Sequence, residues 1–214
     1  MSRTGRSLRL PVEAVVRTAR HEERTMGITT VDQIVTADGY ASEPDGGLSF
    51  FDAFDQTGDR TDQGQLEWLQ GVDAILLGRR TYEMFSSYWP TPAADGDAVA
   101  EWINAAPRHV VSATLDSAPW GDHAAAEVHG DGALAAVSAL RERYDSVVVW
   151  GSLDLTDALF AAGEVDVLRL RTVPVVIGAG RSFVPSSLGR QRLALEGSTA
   201  QATGHVATSY RVLR

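Results

Sequence analysis

Three short stretches of this chain carry residue types that hold phosphate and ribose oxygens, each placed directly after an apolar run. The first is Leu77-Gly78-Arg79-Arg80-Thr81-Tyr82-Glu83. Glycine lets the backbone turn sharply off a strand. The free amides and the dipole of a following helix attract an anion. Two adjacent arginines add charge-assisted, bidentate contacts to phosphate oxygens. The same residues also suit a plain strand-to-helix turn with solvated arginines, and the local pattern fits both readings. The second stretch, Arg108-His109-Val110-Val111-Ser112-Ala113-Thr114, ends in hydroxyls that either hold a ribose end or simply terminate a strand. The third is Val147-Val148-Val149-Trp150-Gly151-Ser152-Leu153, where Gly151 would let a pyrophosphate approach the backbone as the next helix begins. Strand ends of this kind are where open α/β sheets bind ligands. No G-x-G-x-x-G follows a strand, so an ordinary Rossmann site is not expected.

Composition narrows the chemistry further. The chain has 214 residues, 44% hydrophobic and 22% charged, which is enough for one domain with a full core. It contains no cysteine, which excludes disulfides, thiolate metal sites and cysteine nucleophiles. It contains no lysine either, which excludes Schiff-base chemistry and a Walker-type phosphate lysine. A net charge of −9 argues against a nucleic-acid partner, because neutralising phosphates needs a basic face. No apolar run reaches the ~20 residues that cross a bilayer, so neither a membrane partner nor a membrane location is expected. The histidines are scattered. His123 and His129 stand six apart without a supporting ligand pattern, so no metal site is expected. Asp45-Gly46-Gly47 reads as a turn.

The elements that must position these residues follow from periodicity. Residues 1–25 carry six arginines against three glutamates, without the apolar run of a secretory signal. They read as a loose basic tail, or as a segment ahead of a natural start at Met26. Residues 26–214 read as one domain. Expected strands are 28–36, 74–77, 110–111, 147–150 and 165–173, with two antiparallel strands near 193–196 and 206–213. Expected helices are 62–69, 81–85 with Thr81 as N-cap, 133–144 and 154–161. The loop 43–60 carries the aromatic insert Phe50, Phe51 and Phe54. Helices alternating with short buried strands predict an α/β fold, its sheet mainly parallel and covered on both faces, with antiparallel strands at the C-terminal edge.

Taken in order, these junctions resemble the dihydrofolate reductase-like superfamily, in the branch of the reductase domain of bacterial riboflavin biosynthesis, the RibD C-terminal domain. The matching segments are Thr36-Ala37-Asp38-Gly39, Asp73 to Glu83, Trp89-Pro90, Pro107 to Ser112, Trp150-Gly151-Ser152, Val165 to Leu170 and Pro174 to Gly180. The likeness runs from about residue 28 to the C-terminus. It implies a three-layer α/β/α fold and an NADPH-dependent oxidoreductase that passes hydride to a small planar heterocyclic or carbonyl substrate. It also implies a cytoplasmic enzyme; a homodimer through the antiparallel edge is the expected assembly.

The resemblance assigns roles by position. Arg79 and Arg80 would face the 2′-phosphate of the adenosine, with Gly78 at the turn and Thr81 on the pyrophosphate. Ser112, Ala113 and Thr114 would hold the ribose end. Gly151, Ser152 and Leu153 would line the pyrophosphate and nicotinamide side. Val35 and Ala37 would border the cofactor, while Asp38, Gly39, Tyr40 and Trp89 would border the substrate. Asp62 or Glu67, on the helix before the Gly-Arg-Arg-Thr turn, would supply the catalytic proton, unless ordered water does. Two departures stand out. The family often has Gly-Gly where this chain has Gly151-Ser152. The Asp and Pro-x-Leu that contact a ribose phosphate are replaced by Met84-Phe85-Ser86-Ser87-Tyr88-Trp89-Pro90. A reductase of the 5-amino-6-(5-phosphoribosylamino)uracil type, a true dihydrofolate reductase, and a non-catalytic NADPH- or ligand-binding regulatory protein therefore all remain as readings.

Overall fold

The computed structural model describes residues 26–53, 63–201 and 204–214. The expectations for residues 1–25, and for Phe54 and Asp62, lie outside the described residues. The chain runs β1 (Ile28–Thr36), β2 (Tyr40–Ser42), α1 (Gln63–Leu69), β3 (Ala74–Gly78), α2 (Arg79–Ser86), α3 (Ala100–Ala105) and β4 (Arg108–Val111). It continues through β5 (Ala118–Trp120), β6 (His123–His129), α4 (Ala133–Arg143), β7 (Ser146–Trp150), α5 (Leu153–Ala162), β8 (Val167–Val173), β9 (Arg181–Ser182), β10 (Arg192–Ala200) and β11 (Val206–Leu213).

Nine strands form one sheet in the order β10-β11-β8-β1-β7-β3-β4-β6-β5. The pairings from β8 across to β6 are parallel, and β10 and β11 add antiparallel strands at one edge as expected. At the other edge β5 also pairs antiparallel with β6. The apolar runs of β3 and β7 explain the three layers. Alternate residues point to opposite faces, so Val148, Trp150, Ile75 and Leu77 enter one core with Leu69, Tyr82 and Ile103. Val147, Val149 and Leu76 enter the other, against Val137 and Leu140 of α4 and Leu155 and Leu159 of α5. A strand buried on both faces reads as a continuous apolar run rather than an alternating one.

The central strand β1 breaks that rule. Asp32 is fully buried in it, one row across from Trp150 on β7 and Arg169 on β8. Its Oδ2 accepts from Trp150 Nε1 at 2.9 Å and from Arg169 Nη1 at 2.8 Å. Its Oδ1 accepts from Arg171 Nε at 3.1 Å. Arg169 also donates to Gln65 Oε1 at 2.6 Å and lies 4.3 Å over the Trp68 ring, which anchors α1 to the sheet. Arg169 is buried because this face of β8 is covered by α1 rather than by water.

Removing one member of a buried ion pair leaves the other charge desolvated, at a cost of about 3–5 kcal/mol. Asp32→Ala is expected to lose stability on that scale in urea unfolding. Arg171→Ala, whose side chain is 23% exposed, is expected to lose far less. Equal small losses for both variants would show that the cluster does not hold the sheet to α1.

Candidate functional site

The three strand-to-loop junctions meet at the C-terminal end of the parallel strands. β7, β3 and β4 are consecutive neighbours and parallel, so their C-terminal ends lie side by side. Gly78 itself caps α2, which begins at Arg79. The expectation that Thr81 is the N-cap is thus corrected. The turn off β3 is tight enough that the helix starts two residues earlier, and Thr81 is buried within its first turn.

Thr81 is engaged elsewhere. Its Oγ1 accepts from the amide of Ser152 at 3.0 Å. The Ser152 hydroxyl accepts from the amide of Gly78 at 2.8 Å and donates to the carbonyl of Trp150 at 2.8 Å. The first and third junctions are therefore locked together through one serine. Its backbone is left-handed, with φ 57° and ψ 51°, and it caps α5. Gly151 precedes it at φ 53°, a conformation that side chains disfavour, and a Cβ there would meet Thr81 at 3.4 Å. Its amide donates to the Asp32 carbonyl at 3.3 Å, and its carbonyl accepts from Gln33 Nε2.

Two helix N-termini thus stand together. In α5 the first intrahelical bond runs from the Thr156 amide to the Ser152 carbonyl. The amides of Leu153, Asp154 and Leu155 precede it and have no acceptor within the helix. The second junction joins through Arg79, whose Nη1 donates to Thr114 Oγ1 at 2.7 Å and whose Nε donates to Glu83 at 2.7 Å. The Ser112 hydroxyl accepts from the amides of Thr114 and Leu115, each at 3.2 Å, and so shapes the loop that presents Thr114. Ala113 is exposed in the same loop. Arg80 is exposed and points the other way, toward the 43–47 turn, where a Cβ on Gly46 would lie 3.4 Å from its Nη2.

The end of β1 is built differently. Val35 is buried, and the Ala37 amide donates to the Val175 carbonyl at 2.8 Å. Asp38 accepts from the Thr36 hydroxyl at 2.6 Å and from the Gly178 amide at 2.7 Å. Those donors, Thr36 first, hold its carboxyl below the usual range. Asp38 therefore ties the loop after β1 to the loop after β8. Tyr40 packs close by: a Cβ on Gly180 would lie 2.2 Å from the Ser42 carbonyl and 3.0 Å from Tyr40, so only glycine fits there.

The other residues singled out from sequence are dispersed. Trp89 is half-buried. It meets Phe85 edge-on, and Phe85 meets Trp150 in the same way. Trp89 also lines a cavity of about 480 Å³ with Pro90, Asn104 and His123. Glu67 is exposed on α1, although its neighbours Gln65 and Trp68 face the Asp32 cluster. That cluster is what sequence reasoning missed, even though a charged residue inside the β1 run was a visible signal. His129 does not join His123. It faces His109 across the β4–β6 pairing, Nε2 to Nδ1 at 3.1 Å. Burial pushes His109 down to about 4, against the opposing pull of Glu127.

Comparison with known proteins identifies the family and the fold. Residues 28–207 match the family model of the RibD C-terminal domain. A curated relative, the uncharacterized protein YwjB of Bacillus subtilis, is 25% identical over 166 residues, 77% of this chain and 86% of its own length. Among solved structures, a protein of Shewanella sp. PV-4 provisionally assigned to riboflavin biosynthesis superposes with a TM-score of 0.70 at 18% identity, covering 87% of this chain and 99% of that one. Dihydrofolate reductase from Enterococcus faecalis, solved with NADP(H), superposes with a TM-score of 0.56 at 14% identity, covering 88% of this chain and 98% of that one. The fold is dihydrofolate reductase-like, and the chain belongs to the RibD C-terminal domain family.

Proposed function

We propose that this chain is a cytoplasmic, NADPH-dependent reductase that transfers hydride to a small planar heterocyclic or carbonyl substrate, of the kind used by the riboflavin-pathway reductases. The observation that carries the reading is the contact of Arg79 with Thr114 beside the Ser152 lock. It gathers a guanidinium, two helix N-termini and a hydroxyl loop at the C-terminal end of the parallel strands. Helix N-termini and guanidinium groups are what a dinucleotide's phosphates require.

In this reading the amides of Leu153, Asp154 and Leu155 hold the pyrophosphate. Arg79 holds the 2′-phosphate, with Arg80 at the opposite flank. Ser112, Ala113 and Thr114 hold the ribose end. Val35 and Ala37 border the cofactor, which supplies the hydride when bound. The protein contributes orientation and electrostatics. Asp38, Gly39 and Tyr40 shape the substrate side, with Trp89 as a wall. Asp62, Glu67 or ordered water supplies the proton. Asp32 is an anchor in this scheme, because donors occupy both of its oxygens. Arg171, the less buried arginine of that cluster, is the group an acidic substrate oxygen would reach. The exposed leucines Leu193 and Leu195 on the edge strand β10 suit a homodimer through that edge.

A second reading, a non-catalytic NADPH- or ligand-binding protein on the same fold, is favoured by the exposure of Glu67 and the full engagement of Asp32. Titration of the protein with NADPH, read by quenching of tryptophan fluorescence and followed by a turnover screen over pyrimidine and pteridine substrates, separates the two. Binding with NADPH oxidation supports the reductase, and binding without turnover supports the second reading. Arg79→Ala is expected to weaken NADPH binding by about 1.5–3 kcal/mol, the range for a hydrogen bond to a charged group, and NADH binding much less. Equal loss for both cofactors would remove Arg79 from the 2′-phosphate.

A further inference from the structure

We propose that His109, Glu127 and His129 form a three-ligand site for one divalent transition-metal ion of the zinc class. The site is built across two parallel strands. In the β4–β6 register His109 stands opposite Glu127 and Val111 opposite His129. Glu127 and His129 are two apart on one strand, so all three side chains share one face of the sheet. Their ligand atoms lie within 4.8 Å of one another.

The distances within the cluster leave room for a shared ion, because hydrogen bonding accounts for only the His109–His129 contact among the three. His109 Nδ1 and His129 Nε2 are 3.1 Å apart. Glu127 turns one oxygen toward each imidazole: Oε2 lies 3.6 Å from His109 Nδ1 and Oε1 lies 3.7 Å from His129 Nε2. Those last two separations exceed the 2.7–3.2 Å range of an N–H···O hydrogen bond. An ion about 2.0–2.2 Å from each of three tetrahedral ligands sets its donor atoms about 3.3 Å apart. The two imidazole nitrogens stand near that spacing and each faces a Glu127 oxygen at a slightly longer one, so rotation of the exposed carboxylate would seat the ion.

The surroundings also suit a ligand set. His109 Nε2 lies 3.3 Å from the Tyr144 hydroxyl. A partner on the remote ring nitrogen fixes which nitrogen faces the metal. Arg143 donates to both Glu127 oxygens, at 3.0 and 2.8 Å, and orients the carboxylate. Each oxygen keeps lone-pair capacity for a second partner. Access is open on one side only: the His109 side chain is 2% exposed, that of His129 13% and that of Glu127 48%. Solvent on the Glu127 side would complete the coordination. Two imidazoles select zinc, nickel, copper or cobalt over magnesium or calcium. The site is also next to the second junction, since the Ser112 amide donates to the His129 carbonyl at 3.0 Å. An ion here would stiffen the two strands that present the Ser112–Thr114 loop to Arg79.

The test is calorimetric titration of the chelator-treated full chain with zinc chloride, with magnesium chloride as the comparison. One zinc ion per chain and no magnesium heat are expected. His129→Gln and Glu127→Gln are each expected to weaken zinc binding by at least about tenfold, the scale on which perturbing a metal site lowers affinity. His123→Gln, at the exposed start of the same strand, is expected to bind as the unaltered chain does. Glu127 is at the exposed corner of the site, so Glu127→Gln keeps the test decisive if His129→Gln loses its fold. Zinc binding unchanged in a folded variant of either residue, or absent in the unaltered chain, would overturn the assignment.

Discussion

The corner where β7 and β3 end depends on the backbone of one residue. Ser152 is the only non-glycine residue with positive φ among the described residues. A left-handed conformation costs a side-chain-bearing residue about 1–2 kcal/mol. Three hydrogen bonds through its amide and hydroxyl offset that cost, each contributing about 1 kcal/mol net. Two of them, to Gly78 and Thr81, tie the end of β7 to the end of β3, and so fix the start of α5 against the start of α2. Without that lock, two helix N-termini would be neighbours in sheet order but free to splay. The departure from Gly-Gly at this junction is therefore accommodated: the hydroxyl turns inward to the Gly78 amide instead of outward into the space a ligand needs.

Directly behind the lock is the second constraint. The Asp32 carbonyl accepts from the Gly151 amide, while its carboxylate gathers Trp150, Arg169 and Arg171. One residue of β1 thus touches the β7 junction through its backbone and ties β7 and β8 together through its side chain. Burying this charge is tolerable because every partner is itself held. Arg169 is clamped between Asp32, Gln65 and the Trp68 ring, and Trp150 is packed edge-on against Phe85 and Trp102. Buried ionic groups add little net stability against apolar replacements of the same shape. The geometry this cluster imposes on α1, β1 and β8 is its main physical consequence.

How much of this was legible in sequence follows from the range of each interaction. The double-sided burial of β3 and β7 shows as unbroken apolar runs, and the turns after them show as glycine next to a helix start. Those signals are local. The edge strands β5 and β6 gave no such signal, because His123-Ala-Ala-Ala-Glu-Val-His129 has few β-branched residues and no clear alternation. The three-residue β2 and two-residue β9 are too short to carry a period. Thr81 reads as a cap because threonine is a preferred N-cap residue; its actual partner, the Ser152 amide, is 71 residues away. The Asp32–Arg169 and His109–His129 pairs were equally hidden. Each depends on strand register, and register is set by the whole sheet rather than by either segment.

The central claim is that the three strand ends form one dinucleotide site. Hydrogen exchange of the full chain with and without NADPH tests it most directly. The account predicts slowed exchange at residues 78–81, 112–115 and 151–155 together, with no change in the remote hairpin 192–213. Protection confined to one of the three segments, or found only elsewhere, would contradict it.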